Sequence, residues 1–269
     1  MSINLNVFDN GSLIEKKFTI PAYELDMNYS TTMPVICNYL YDIGMEHAAI
    51  VLKDIDSTDA LPEDVVFVVT RYQVRIERYP LLKENVLIRT WLSPIEGKHV
   101  VRNFLLMDES GEIFGRAINS ATTFNLKKRA GEDISDRFNN SKFKTLHLEP
   151  ALPHVFEKLP NVVSPDYENE VDVRYFDCDF YLHVNNVKYV EWCIETMPIE
   201  FLKKHRLYEI DINFKKESSP GEKLIVKTCS ESVKTCSESK ENTFIHLIAS
   251  EDGTRDIVRM RSVWRPTHS

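Results

Sequence analysis

No stretch of this 269-residue chain approaches the roughly 18 consecutive apolar residues that a membrane-spanning helix needs. The opening run, MSINLNVFDNGSLIEKKF, lacks a basic segment followed by an apolar one, so it does not read as a secretory signal. It also lacks the Arg- and Ser-rich, acid-poor character of an organelle transit peptide. Cys-x-x-Cys pairs are absent, and the five cysteines (Cys37, Cys178, Cys193, Cys229, Cys236) are odd in number. That pattern argues against a disulfide framework and a zinc site, and it fits a reducing compartment. Positive charge is in deficit: the formal net charge is −8, so bulk charge offers nothing to a nucleic acid. The expectation is a cytoplasmic protein with no membrane span, no metal and no nucleic-acid partner.

What is present is a globular balance, 43% hydrophobic and 28% charged, in a chain long enough for two ordinary domains. Its most informative feature is an internal repeat. Tyr23 to Asn28 precedes an apolar helical run from Met33 to Leu52, and Tyr175 to Tyr181 precedes another from Val187 to Met197. Placing Asp26 over Asp179 sets Asn28 over Tyr181, Ser30 over His183 and Tyr39 over Trp192.

The following segments match as well. Thr70 to Glu77 alternates, with Tyr72, Val74 and Ile76 on one face. Tyr208 to Glu217 alternates likewise, with Tyr208, Ile210, Ile212 and Phe214 as its apolar face. Such a period of two marks a strand with one face on a core. Each strand is followed by a Pro (Pro80, Pro220) and then by another strand, from Val86 and from Leu224. Hairpins turn at Asp108 to Gly111 and at Glu251 to Gly253, with return strands Ile113 to Leu126 and Thr254 to Arg265.

Each half thus reads as a helix followed by antiparallel strands, an α+β arrangement made twice. The expected boundaries are 1–130 and 161–269, with a charged, proline-containing linker at 131–160 that carries a short helix. The heptapeptide VKTCSES at Val226–Ser232 recurs at Val233–Ser239, a tandem duplication that lengthens a strand or its loop.

The densest cluster of reactive groups is Asp177, Asp179, His183, Asn185 and Asn186, just ahead of the second helix. A carboxylate near an imidazole can orient it or share its proton, and free N–H groups at a helix start favour developing negative charge. Glu217, at the end of a strand, can bring a second carboxylate to the same point. Asp and Asn before a helix are also the usual caps, and a lone histidine is more often a packing or surface residue. The first half has Ser30 where the second has His183, so the scaffold does not require the histidine.

The run from Asp177 through Asp179, Tyr181, His183, Val184, Asn185, Asn186, Val187 and Tyr189 to Trp192 resembles the signature of acyl-acyl carrier protein (acyl-ACP) thioesterases. That pattern is Asp-x-Asp-x-Asn-x-His-Val-Asn-Asn-Val-x-Tyr-x-x-Trp, followed by a catalytic Glu 34 residues past the His. Glu217 stands 34 positions past His183. In the first half, Arg71 through Glu77, Arg78, Tyr79 and Pro80 to Arg89-Thr90-Trp91 resembles the family too, so the likeness covers nearly the whole chain.

The resemblance implies a tandem double hot-dog, each half an antiparallel sheet wrapped around a long central helix. It implies hydrolysis of a fatty acyl thioester on acyl carrier protein, without a cofactor. Asp179, His183 and Glu217 take the catalytic positions. The family's Asn falls on Tyr181, a phenol that can donate but offers no carbonyl acceptor, and Asn185 is a second candidate for positioning the thioester. Ser218 stands where plant members often have Cys, so a cysteine nucleophile is not available there.

By the same resemblance the first half binds the acyl chain, with Ile36, Leu40, Met45 and Trp91 as candidates for its lining. Acyl carrier protein is acidic and needs a positive surface, for which Lys203, Lys204 and Arg206, or Lys127 to Arg129, are candidates. General-base attack by water and direct carboxylate attack through an anhydride both stay open. So do an acyl-CoA thioesterase, a fatty-acyl binding protein weakened at Tyr181, and a monomer or a homodimer.

Overall fold

The computed structural model describes residues 5–59, 65–95, 97–140, 143–153, 156–231 and 242–267. They form two compact units, Met1–Val155 and Phe156–Ser269. Among the described residues no helix is long and apolar enough to cross a membrane.

The first unit contains strands β1 (Leu5–Phe8) and β2 (Leu13–Thr19), helix α1 (Met33–Asp59), then β3 (Val65–Ile76), β4 (Asn85–Leu92), β5 (His99–Met107) and β6 (Ile113–Asn125). The strands are joined antiparallel in the order β1-β2-β4-β5-β6-β3, and the two-residue β7 (Ala130–Gly131) pairs with β6. Helix α1 buries Met33, Ile36, Cys37, Leu40, Ile43, His47 and Val51, a stripe recurring every three or four residues, and touches β2 and β4. The alternation expected for β3 is present, with Tyr72, Val74 and Ile76 all inside. The β5–β6 hairpin turns where expected. Asp108 Oδ1 accepts from the N–H groups of Ser110 and Glu112, and Gly111 takes φ +85°, which a side chain would resist.

The segment expected to be a linker does more than connect. It carries α2 (Ser135–Asn140), and Ile134, Phe138 and Phe143 join Val51, Leu92 and Val100 in one buried cluster. Ser12 Oγ donates to the carbonyl of Lys144, and Ala151 N–H donates to Asn103 Oδ1 at 3.0 Å. The first unit's apolar cluster therefore reaches Phe143, and a hydrogen bond ties the chain to it again at Ala151.

The second unit contains β8 (Tyr167–Asp172), α3 (Asn186–Glu195), α4 (Ile199–Leu202), β9 (His205–Phe214), β10 (Lys223–Ser230), β11 (Asn242–Ser250) and β12 (Asp256–Pro266). Its strands run antiparallel in the order β9-β12-β11-β10-β8, with α3 against β10 and β11. At 10 residues α3 is much shorter than the 27-residue α1. Strand β9 departs from the expected alternation at its start. Register with β12 jumps from Glu209↔Val263 to Leu207↔Trp264, so Tyr208 bulges out and Leu207 takes the buried place. Tyr208 instead carries the Arg265 guanidinium over its ring, 3.2 Å from the centroid. The first VKTCSES copy lies largely in β10; the second, with Cys236, lies outside the described residues.

A polar chain crosses the interior of this sheet. Trp264 Nε1 donates to Ser262 Oγ, and the His246 ring joins Ser262 Oγ and Thr228 Oγ1, each at 2.8 Å. Burial holds His246 neutral, its pKa lowered from 6.5 to about 3. The unfolded chain binds a proton here that the folded one refuses, so this stability is full above pH 6.5 and is lost as pH falls towards 3. His47, lowered to about 3 by burial and by Arg102, acts in the same direction. Urea titrations across that window should show a shallower acid loss for His246→Gln than for the parent; equal slopes would mean His246 is not a buried neutral residue.

Candidate active site

The loop that leads into each unit's helix is built twice on one plan. In the second unit a 3-10 turn, Tyr175–Asp177, is followed by a tight reversal. Asp179 N–H donates to the His183 carbonyl at 2.9 Å, and Leu182 N–H to the Asp179 carbonyl at 3.0 Å. Asp179 Oδ1 accepts from Tyr181 N–H at 2.9 Å. In the first unit the 3-10 turn is Ala22–Glu24. Asp26 N–H donates to Ser30 O, Tyr29 N–H to Asp26 O, and Asn28 N–H to Asp26 Oδ1, at 3.0, 3.0 and 2.8 Å. Leu182 and Tyr29 both sit at positive φ, +65° and +59°. The aspartate accepts from the residue two positions on, a turn that Asp forms readily.

The helices then start in step. Asn185 caps α3, its Oδ1 accepting from Val187 N–H at 2.9 Å while its carbonyl takes Lys188 N–H. Thr32 does the same for α1, with Oγ1 accepting from Val35 N–H at 3.5 Å. The Val187 and Lys188 N–H groups are thus already engaged by the cap. Asn185, expected as a positioning residue, is here the N-cap.

Against that shared background His183 replaces Ser30. Its Nε2 lies 3.3 Å from Glu217 Oε2, with the two side chains 43% and 60% exposed. Attraction between groups so open to water is screened and does little to hold them. The backbone brings them together instead. Val184 N–H, next to His183, donates to the carbonyl of Ser218, next to Glu217, at 3.0 Å. An imidazole and a carboxylate in contact, both open to water, can activate a water molecule and pass on its proton.

Asp179 makes no hydrogen bond to the His183 ring among the described residues; its carboxylate acts on its own turn. Tyr181 is exposed, its ring 4.2 Å from that of Phe180. The nearby Cys178 is no thiolate, because burial and then the flanking Asp177 and Asp179 raise its pKa. No group of three or more His, Cys, Asp or Glu side chains among the described residues is arranged to hold a metal ion.

Of the lining candidates in the first unit, Ile36, Leu40 and Trp91 are buried, whereas Met45 is 40% exposed and stands off that buried face. Of the basic candidates, Lys203 pairs with Glu200 at 2.9 Å and Lys204 is exposed beside it. Arg206 lies half-buried on β9. Lys128 pairs with Glu132 at 3.0 Å. Two residues that sequence reasoning left without a role are buried: Tyr189, on α3, and Ser218, directly after Glu217; the only signal for them was the motif and the position after the Glu.

Residues 11–141 match the family model described as acyl-ACP thioesterase N-terminal domain, and residues 160–266 the one described as acyl-ACP thioesterase C-terminal domain. The chain is 27% identical over 276 residues to the chloroplastic palmitoyl-acyl carrier protein thioesterase of Cuphea hookeriana. That alignment takes in 97% of this chain but 64% of the Cuphea protein, so this chain spans less than two thirds of that relative. Among solved structures, the 12:0-ACP thioesterase from Umbellularia californica superposes with a TM-score of 0.80 at 24% identity, over 95% of this chain and 94% of that one. An acyl-ACP thioesterase from Bacteroides thetaiotaomicron gives 0.74 at 21% identity, over 94% and 98%. These likenesses establish the fold as the α+β tandem hot-dog. With both domain models matched in order along its length, the chain belongs to the acyl-ACP thioesterase family.

Proposed function

We propose that the protein hydrolyses fatty acyl thioesters carried on acyl carrier protein, releasing free fatty acid and the carrier thiol. The observation that carries this reading is the 3.3 Å approach of His183 Nε2 to Glu217 Oε2. Glu217 takes a proton from water as the water oxygen bonds to the thioester carbonyl carbon. The C–S bond then breaks, its electron pair leaves with sulfur, and the proton passes from Glu217 through the imidazole to the thiolate. Solvent exposure of both groups supports attack by water over direct attack by the carboxylate.

Asp179 serves by holding the turn that presents His183, and Tyr181 stands at the thioester as a donor. Residues 161–269 carry the chemistry. The first unit takes the acyl chain, with Ile36, Leu40 and Trp91 as its lining. The free Cys37, Cys178, Cys193 and Cys229 fit work in the reducing cytoplasm.

Purified His183→Ala and Glu217→Gln should each hydrolyse acyl-ACP about 100-fold or more slowly, with melting temperatures unchanged. Parent-like rates in both would end the hydrolase reading, and faster turnover of acyl-CoA than of acyl-ACP at equal chain length would reassign the carrier. A single turnover in 18O-water should leave Glu217 unlabelled; label in its carboxyl would show an anhydride instead.

Asp179→Asn keeps an acceptor for Tyr181 N–H and should fold like the parent, while Asp179→Ala should lose about 1 kcal/mol in urea unfolding. If the Asn variant is as inactive as His183→Ala, the carboxylate charge itself takes part in the reaction. Reversing Lys203 and Lys204 together to Glu should raise KM for acyl-ACP and leave KM for acyl-CoA unchanged. An unchanged KM on both substrates removes this surface from carrier docking.

A further inference from the structure

Helix α1 covers a face of the first unit's sheet on which cross-strand partners form rows. Two of them, Ile76–Gly115–Leu106–Ile88 and Val74–Ala117–Phe104–Thr90, are buried at every position. The next is Tyr72–Asn119–Arg102, and it is polar. It lies under the helix, since a Cβ at Gly44 would stand 3.8 Å from Arg102 Cδ and 3.9 Å from the Phe104 ring. The bonds these three side chains make do not use them up. His47 is fully buried, and its Nε2–H donates to the Gly11 carbonyl at 2.8 Å, which leaves Nδ1 to accept from Arg102 Nη1. That partner is neutral. No carboxylate pairs with Arg102 among the described residues, and burial lowers its pKa only to about 10, so it stays charged at neutral pH. The Tyr72 hydroxyl is buried with no hydrogen-bond partner among the described residues. A buried cation without a counter-charge and a buried hydroxyl without an acceptor both cost stability. Arg102 and Asn119 also keep part of their surface open, while Phe104 and Ala117 beside them keep none.

The duplicated scaffold supplies an internal control. With Val86 over Leu224, Thr90 falls on Thr228, and the row Val74–Ala117–Phe104–Thr90 falls on Ile212–Met260–His246–Thr228. The row beyond it, Ile210–Ser262–Phe244, then answers to Tyr72–Asn119–Arg102. The second unit closes that place with Ile210 and Phe244, both buried, and engages Ser262 with His246. The fold is satisfied without an arginine or a phenol there, so neither is needed to build it.

We propose that the Tyr72–Asn119–Arg102 row is a subsite for an acyl chain that ends in a carboxylate, with Arg102 meeting its charge and the Tyr72 hydroxyl donating to one of its oxygens. The inference rests on the reading of the first unit as the acyl-chain half of a hydrolase. It narrows the substrate class to ω-carboxyacyl thioesters, the mono-thioesters of dicarboxylic acids. A methyl end has nothing to offer this row and leaves its charge uncompensated. A carboxylate gives up its water on entering, and a guanidinium already held in place by His47 is the group that offsets that loss.

The test compares ω-carboxyacyl-ACP with unsubstituted and ω-hydroxyacyl-ACP of equal length, from octanoyl to hexadecanoyl, for the parent, Tyr72→Phe and Arg102→Met. At its best length the parent should favour the carboxylate over the methyl end about tenfold or more in kcat/KM. Tyr72→Phe removes a single oxygen and should cut that ratio about fivefold, and Arg102→Met should reverse it. If Arg102→Met does not fold, Tyr72→Phe decides. A second readout needs no hydrolysis: the free dicarboxylic acid should raise the melting temperature of His183→Ala more than the fatty acid of equal length does. No carboxylate preference at any length in either assay overturns the subsite, as does a preference that survives both substitutions. Preference for the hydroxyl end alone also overturns it. Stabilisation by the dicarboxylic acid beside a parent that cleaves no thioester would keep the subsite and remove the hydrolase reading.

Discussion

The hydrogen bond from Val184 N–H to the Ser218 carbonyl is the contact on which the site depends. His183 comes from a loop ahead of a helix and Glu217 from a loop after a strand, and no covalent geometry relates them. Their side chains stand in water, where charge attraction is too weak to choose one arrangement from many. A backbone bond between the residues that immediately follow them leaves each side chain only its own rotamers to search. The sheet beneath supports that bond from one side, through β9 leading into the loop, and α3 supports it from the other.

The same bond in the first unit joins Thr31 to Pro80, where no chemistry is proposed. The fold therefore supplies the clamp twice and the histidine–glutamate pair once. Comparison of the two copies sorts residues in a way that neither copy alone permits. The aspartate of the turn and the polar cap of the helix are common to both and are explained by architecture. The histidine is particular to one copy and needs another explanation.

Much of this was legible in the sequence. Strand β3 could be read because Tyr72, Val74 and Ile76 face a core while Arg71, Gln73 and Arg75 do not, and the Asp-Gly hairpin of the second unit because Gly253 tolerates positive φ. Strands β1 and β2 were silent, since β1 is mostly exposed and Glu15, Lys16 and Lys17 interrupt β2; cross-strand pairing of Glu15 with Arg89 at 2.9 Å is a tertiary fact. Tyr208 was placed one step out of phase because a bulge has no hydrophobic signature. The meeting of His183 and Glu217 could be raised from the strand end alone, but only the family resemblance made it definite, as their separation along the chain carries no distance. The burial of the Tyr189 and Ser218 hydroxyls cannot be read from a sequence at all, because it is a property of the packed interior.

The buried cluster of Ile134, Phe138 and Phe143 with Val51, Leu92 and Val100 has a practical meaning for anyone exchanging the first unit between relatives. A chimera spliced near residue 130 would leave the donor's helix and sheet without the aromatic side chains that seal them. It would then fail through exposed apolar surface before any activity could be measured. The crossover belongs beyond residue 152, so that each donor half brings its own seal.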